Sequence, residues 1–179
     1  MDSSERRRDN SAGMPTRTRE EFESFYRDTA PALLRYIRRV AGNSAFAEDI
    51  LQNAYIRLLG RPSLPETGLR TYLYTIATNL IKDEWRRQAR ERHWWQLHSA
   101  AESYSIDPGL SADMSQLMNT LKPRERALLW LAYGEGFDHR EIALILHVSE
   151  RSVRVMLHRV RNKARTLLTQ AGQPAMVKS

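Results

Sequence analysis

Five cationic or ionisable side chains recur between positions 151 and 165: Arg151, Arg154, His158, Arg161 and Arg165, at steps of three and four residues. At about 100° per residue these steps place them on one stripe of a helix. Between Val148 and Arg165 there are six arginines or lysines (Arg151, Arg154, Arg159, Arg161, Lys163 and Arg165) against one acid, Glu150. A guanidinium fork can grip a phosphate or read the edge of a guanine, so the chemistry on offer is recognition of a polyanion. A second stripe on the same helix, Val153, Met156, Leu157, Val160, Ala164 and Leu167, is apolar and must be buried. One face packs and the other is left for the ligand.

The elements that would position this stripe are legible just upstream. Ile142, Ala143, Ile145 and Leu146 have the recurrence of a buried helical face, with Ala143 small where a partner helix crosses. His147 and Val148 form the turn. Ser149 is placed to cap the next helix, and Glu150 sits where the helix dipole favours negative charge. The spacing of Ile142, Ala143, Val148, Val153 and Met156 is similar to the helix-turn-helix of DNA-binding proteins, whose second helix enters the major groove. The usual turn glycine is replaced by His147. The bland alternative is a solvated basic helix in a trihelical core.

Composition narrows the rest. The chain has 179 residues, 41% of them hydrophobic, a formal charge of +7 and a pI near 10.0. That length suits two small domains, and the charge suits nucleic acid or an anionic surface. No apolar run approaches a membrane span and no signal-peptide core follows Arg6–Arg8, so a cytoplasmic protein without membrane insertion is expected. The absence of cysteine removes disulfides, thiolate zinc sites and cysteine nucleophiles. The five histidines have no metal-site spacing. No phosphate loop, nucleophile elbow or acid-base pair stands out, so neither catalytic residues, metal nor cofactor is expected, and the protein is not an enzyme.

Along the chain, residues 1–19 read as a disordered basic tail and 170–179 as a flexible C-terminus. Phe22, Phe25, Tyr26, Leu33, Leu34, Ile37 and Val40 keep a helical period through Pro31, which either kinks one helix or opens a second. Ser44 is read as the cap of the next helix, whose stripe is Phe46, Ile50, Leu51, Ala54, Tyr55, Leu58 and Leu59. Gly60 to Gly68 reads as a loop because two prolines and glycines punctuate it. A long helix follows, with Leu69, Tyr72, Leu73, Ile76, Ala77, Leu80 and Ile81 inside and a basic end at Lys82, Arg86, Arg87, Arg90 and Arg92. Residues 93–112 carry acids but no Lys or Arg and read as an acidic linker. Residues 113–169 form the second unit, with Pro123 in the first turn of a helix closed by Gly134 and Gly136. No strand pattern survives, so the fold class is all-α, with two small helical domains at 20–92 and 113–169.

This order of elements resembles the extracytoplasmic-function (ECF, group 4) sigma factors of the bacterial sigma-70 family, over residues 20 to 168. The run Ala47-Glu48-Asp49-Ile50-Leu51-Gln52-Asn53-Ala54-Tyr55-Ile56-Arg57-Leu58-Leu59 looks like their polymerase-docking helix. Tyr72 to Asp83, with Trp85-Arg86-Arg87, looks like their promoter-melting segment, and Leu121 to Arg126 opens their upstream-reading region. The resemblance implies a region 2 bundle and a region 4 helix-turn-helix. Asp49, Gln52, Asn53 and Arg57 would meet the large-subunit clamp of core RNA polymerase, and Asn53 stands where the family commonly has an acid. Ser63, Leu64, Asn79, Lys82, Arg86 and Arg87 would hold the minus-ten element. Arg151, Ser152, Arg154, Val155, His158 and Arg159 would read the minus-thirty-five element, with Arg154 first for base reading. The implied partners are core polymerase (clamp and flap), promoter DNA and an anti-sigma factor, and the free chain is expected to be a monomer. Trp85 is expected to pack rather than stack on bases. Two competing functions fit parts of the chain: a polymerase-independent helix-turn-helix repressor, and a sigma-like decoy for a regulatory partner. A repressor, however, has no need of a melting segment.

Overall fold

A computed structural model describes residues 18–42, 45–60, 66–95 and 117–171, and these are helices and turns. Helix α1 spans Arg19–Ala41. Thr18 and Glu21 form a reciprocal capping box, Glu21 N–H donating to Thr18 Oγ1 at 3.2 Å and Thr18 N–H to Glu21 Oε2 at 2.9 Å. Gly42, left-handed at φ 74°, ends it. Of the two options left open at Pro31, the structure takes the single helix, with Leu33, Tyr36, Ile37 and Val40 buried beyond the proline.

Helix α2 spans Ala47–Leu59 with Phe46 at its cap position and no side-chain capping bond. This corrects the expectation for Ser44, which lies outside the described residues: the helix starts later, and Glu48 and Asp49 supply the first-turn negative charge instead. Helix α3 spans Glu66–Trp95. It begins before Gly68, so the loop expected to run to that glycine is shorter. A Cβ at Gly68 would meet nothing within 4 Å, so this glycine is tolerated in the first turn without being required. The helix also runs three residues past 92, since no Gly or Pro intervenes between Gly68 and Pro108. Trp94 and Trp95 therefore belong to its last turn. The expectations for 1–17, 96–116 and 172–179 lie outside the described residues.

After a helical turn at 117–120, helix α4 spans Pro123–Leu129 with proline at its start, as expected. It widens into a π-turn over Trp130–Gly134, where Glu135 N–H reaches back to Trp130 O at 2.9 Å. Gly134 is required there: a Cβ would lie 2.9 Å from the Trp130 ring. Helix α5 spans His139–Leu146, opened by the Asp138/Glu141 capping box, and α6 spans Glu150–Ala171. His147 between them is left-handed, φ 54° and ψ 54°, and Ser149 Oγ accepts from Ser152 N–H at 3.1 Å.

Helices α1, α2 and α3 form one bundle, and α4, α5 and α6 a second. The two are not held apart. Helix α3 lies against α5, and α1 against α4 and the π-turn, so their buried residues form one continuous apolar core.

Candidate nucleic-acid interface

The helix-turn-helix positions the cationic stripe as its spacing requires. Val153, Leu157 and Val160 of α6 are buried, Met156, Ala164 and Leu167 are half-buried, and Arg151, Arg154, Val155, His158, Arg159, Arg161 and Arg165 are exposed. Ser152 is half-buried and its hydroxyl meets Ser149 Oγ at 2.7 Å, so it serves the turn. Arg154 pairs with Glu150 one turn earlier. That pair is largely exposed, so exchanging the carboxylate for a nucleic-acid acceptor costs little. His158 Nε2 lies 3.1 Å from Asn162 Nδ2. Lys163 faces the other way, donating to Glu125 Oε2 at 2.7 Å and tying α6 to the start of α4.

On α3 the second group is more occupied. Asn79 Nδ2 lies 3.3 Å from His147 Nε2 of the helix-turn-helix turn. Lys82 is half-buried; desolvation, then Arg124 and Arg86, hold its pKa below the usual lysine value. Arg86 pairs with Asp83 at 3.4 Å at the surface. Arg87 grips Glu84 with two bonds of 2.9 and 2.8 Å and lies 5.1 Å from the Phe46 ring, so it also fastens α3 to the entry of α2. Trp85 packs, as expected, its indole N–H donating to Ala41 O at 3.2 Å. Ser63 and Leu64 lie outside the described residues.

On α2, Asp49, Gln52, Asn53 and Arg57 are all exposed. Asn53 turns its amide back to Asp49 O at 2.9 Å. Ile56 and Leu59, 64% and 58% exposed, continue the same side of the helix, so this surface is mixed rather than purely polar.

Sequence reasoning missed a polar cluster at the junction of the two bundles. The Glu135 side chain is only 4% exposed and receives three donors: Arg70 at 3.0 Å, Tyr74 hydroxyl at 2.6 Å and Trp130 indole N–H at 3.0 Å. Thr71 Oγ1 donates to Glu141 Oε1 at 3.0 Å beside it. The Arg70 guanidinium lies 4.1 Å from the Phe137 ring, and the Tyr74 and Phe137 rings meet at 4.9 Å. A signal was present: an acid set between Gly134 and Gly136, directly after an apolar helix, is a buried carboxylate awaiting partners.

Comparison with known proteins accounts for both halves. Residues 25–91 match the family model for sigma-70 region 2, and residues 111–163 that for sigma-70 region 4. The RNA polymerase sigma-E factor of Streptomyces avermitilis is 33% identical over 145 residues, 78% of this chain and 80% of that protein. The ECF RNA polymerase sigma factor SigL of Mycobacterium tuberculosis is 30% identical over 161 residues, 84% of this chain and 90% of that one. Among solved structures, the sigma factor RpoE of Bartonella quintana in complex with the anti-sigma factor NepR superposes with a TM-score of 0.75. It has 22% identity and covers 84% of this chain and 98% of that one. With these matches over both halves, the chain belongs to the sigma-70 family, as an alternative sigma factor of the ECF branch that directs transcription initiation.

Proposed function

We propose a division of labour along the chain: residues 20–92 dock on core RNA polymerase and open the minus-ten element, and residues 113–169 read the minus-thirty-five element. The observation that carries this reading is the exposed row Arg151, Arg154, Val155, His158 and Arg159 on a helix whose opposite face is packed. In the major groove Arg154 is the base reader, with Arg151 and Arg159 beside it, and Arg161 and Arg165 further along meet phosphate. Ser152 sets the turn that aims them. Asp49, Gln52, Asn53 and Arg57 meet the polymerase clamp. Asn79 offers a donor and an acceptor to an unstacked base, while Lys82, Arg86 and Arg87 neutralise the strand and Ser63 and Leu64 contact the minus-ten element.

None of these roles requires catalysis, a metal or a cofactor; the chain works by binding. It acts in the cytoplasm as a monomer until it joins polymerase. Among the described residues no helix is long and apolar enough to cross a membrane. The RpoE relative was solved with the anti-sigma factor NepR, and CnrH with the cytosolic domain of CnrY; a regulatory protein of that kind is proposed here too.

The test is reconstitution with core polymerase. A one-to-one complex and promoter-dependent transcripts are expected; tight duplex binding without polymerase association points instead to a repressor. Arg154→Ala removes a bidentate base contact of about 1 to 3 kcal/mol, so upstream-element binding falls about 5- to 150-fold while core binding is unchanged. Equal loss of both contradicts the assignment.

A further inference from the structure

We propose that Val155 is a base-reading residue of a particular kind: its branched side chain seats against the 5-methyl group of a thymine in the minus-thirty-five element, so that promoter choice depends on that methyl. The proposal rests on the major-groove reading of α6 given above and adds the base that the apolar centre of this face selects.

Val155 is 44% exposed, in the second turn of α6. Among the described residues, Val153, Met156, Leu157 and Val160 of this helix lie in the apolar core or pack against it, and Val155 does not. It is two positions from Val153 and two from Leu157, hence about 160° around the axis from each, and so faces away from the core. On that outer face Arg151 and Arg159 stand one turn before and one turn after it, each about 40° away in rotation and about 6 Å along the axis. Both are exposed. The next exposed apolar residue of α6, Leu168, is about 20 Å further along, so Val155 belongs to no apolar patch of this helix that another protein could cover.

A branched residue is a poor filler for an exposed helical position, where Ala, Lys or Arg costs less. Nor does it help to hold a polyanion, since cations alone gain from phosphate. Its use is discrimination. Among the four bases only thymine presents a methyl group in the major groove; the other groove-edge groups that carry sequence are hydrogen-bond donors and acceptors, which valine cannot meet. The side chain is stiff at its first torsion, so it loses little freedom on making the contact. Ser152, one turn earlier on the same side, is half-buried and engaged with Ser149 Oγ at 2.7 Å, which leaves Val155 as the uncharged surface between the two arginines. Arg154 then reads a base edge through hydrogen bonds while Val155 reads a neighbouring one through apolar contact.

The test uses the full chain joined to core polymerase and a promoter duplex that yields transcripts in the reconstitution above. Each thymine of the minus-thirty-five element, on either strand, is replaced in turn by deoxyuridine, which removes the methyl and keeps every donor and acceptor. At one position or more, binding is expected to fall about fourfold, the worth of one buried carbon group. The factor should be the same at low and high salt, because no phosphate contact is lost. Val155→Ser should bind the thymine and deoxyuridine duplexes equally there, while Val155→Ile, which keeps a branched apolar surface, should still tell them apart. Far-UV circular dichroism checks that the helices persist in both variants, and the deoxyuridine scan on the unaltered chain stands without them. An element with no thymine, a scan in which no replacement weakens binding, or a Val155→Ser chain that discriminates as before overturns the proposal. Failure of the sigma reading is separate: no polymerase complex would form, and the same scan on a duplex selected by the free chain would still decide whether Val155 meets a methyl group.

Discussion

His147 occupies a backbone conformation that L side chains adopt at a cost, φ 54° and ψ 54°, so that Val148 N–H can close on Ala143 O at 3.0 Å. Replacing it with glycine relieves that cost, partly offset by the greater freedom of an unfolded glycine. His147→Gly is therefore expected to raise stability by about 0.5 to 1 kcal/mol, read as a higher denaturation midpoint. A lower midpoint would mean that the imidazole contact with Asn79 outweighs the strain. The left-handed turn itself was legible, because the motif's spacing fixes where the chain must reverse. Asn79 as a neighbour of His147 was not, since residues so distant in sequence meet only through the packing of two bundles.

At the scale of elements, stability at the ends of helices comes from carboxylates. Glu125 accepts from Lys122 N–H at 2.8 Å and from Lys163 Nζ at 2.7 Å, joining the start of α4 to α6. Desolvation works against its charge, but Lys163 and the Lys122 backbone win and hold its pKa below the ordinary 4.5. On Glu84 the Arg87 bond acts in the same direction and outweighs desolvation. A depressed carboxyl contributes stability above the unfolded pKa and loses it as pH falls through the folded one. The thermal midpoint should therefore be steady near neutrality and drop below about pH 4.5. Glu125→Gln should cost about 1 kcal/mol at pH 7 and flatten part of that drop. The helices were readable from periodicity, and the start of α6 from Ser149; the Asp138/Glu141 box that opens α5 went unread. The starts of α2 and α3 were misjudged for a common reason: a polar residue or a glycine permits a boundary without compelling one.

Across the whole molecule, three tyrosines record how tightly the helices close. Desolvation raises Tyr36, inside the first bundle, and Tyr74, at the junction, well above the normal phenol value of 10.0, and pushes Tyr55 up to about 12. The folded state thus holds these protons more tightly than the unfolded chain. Their contribution is complete below pH 10 and is lost as pH rises through the folded values. Denaturant midpoints should be level from pH 7 to 9 and fall above about 10, with a shallower fall in Tyr36→Phe; a slope indifferent to that change would deny the burial. Fold class and the exposed cationic stripe were legible because 3.6-residue periodicity is local. The shared core was not, since charge reversal between residues 93 and 112 suggested separation while the residues that join the bundles, Arg70, Tyr74 and Glu135, look unremarkable singly. The π-turn over Trp130–Gly134 makes that joint a matter of counting. Delete one residue there and the helix returns to ordinary spacing, swinging Glu135 about 100° around the axis and away from α3. Chain length in this one turn, more than the identity of any side chain, decides whether the two halves can meet.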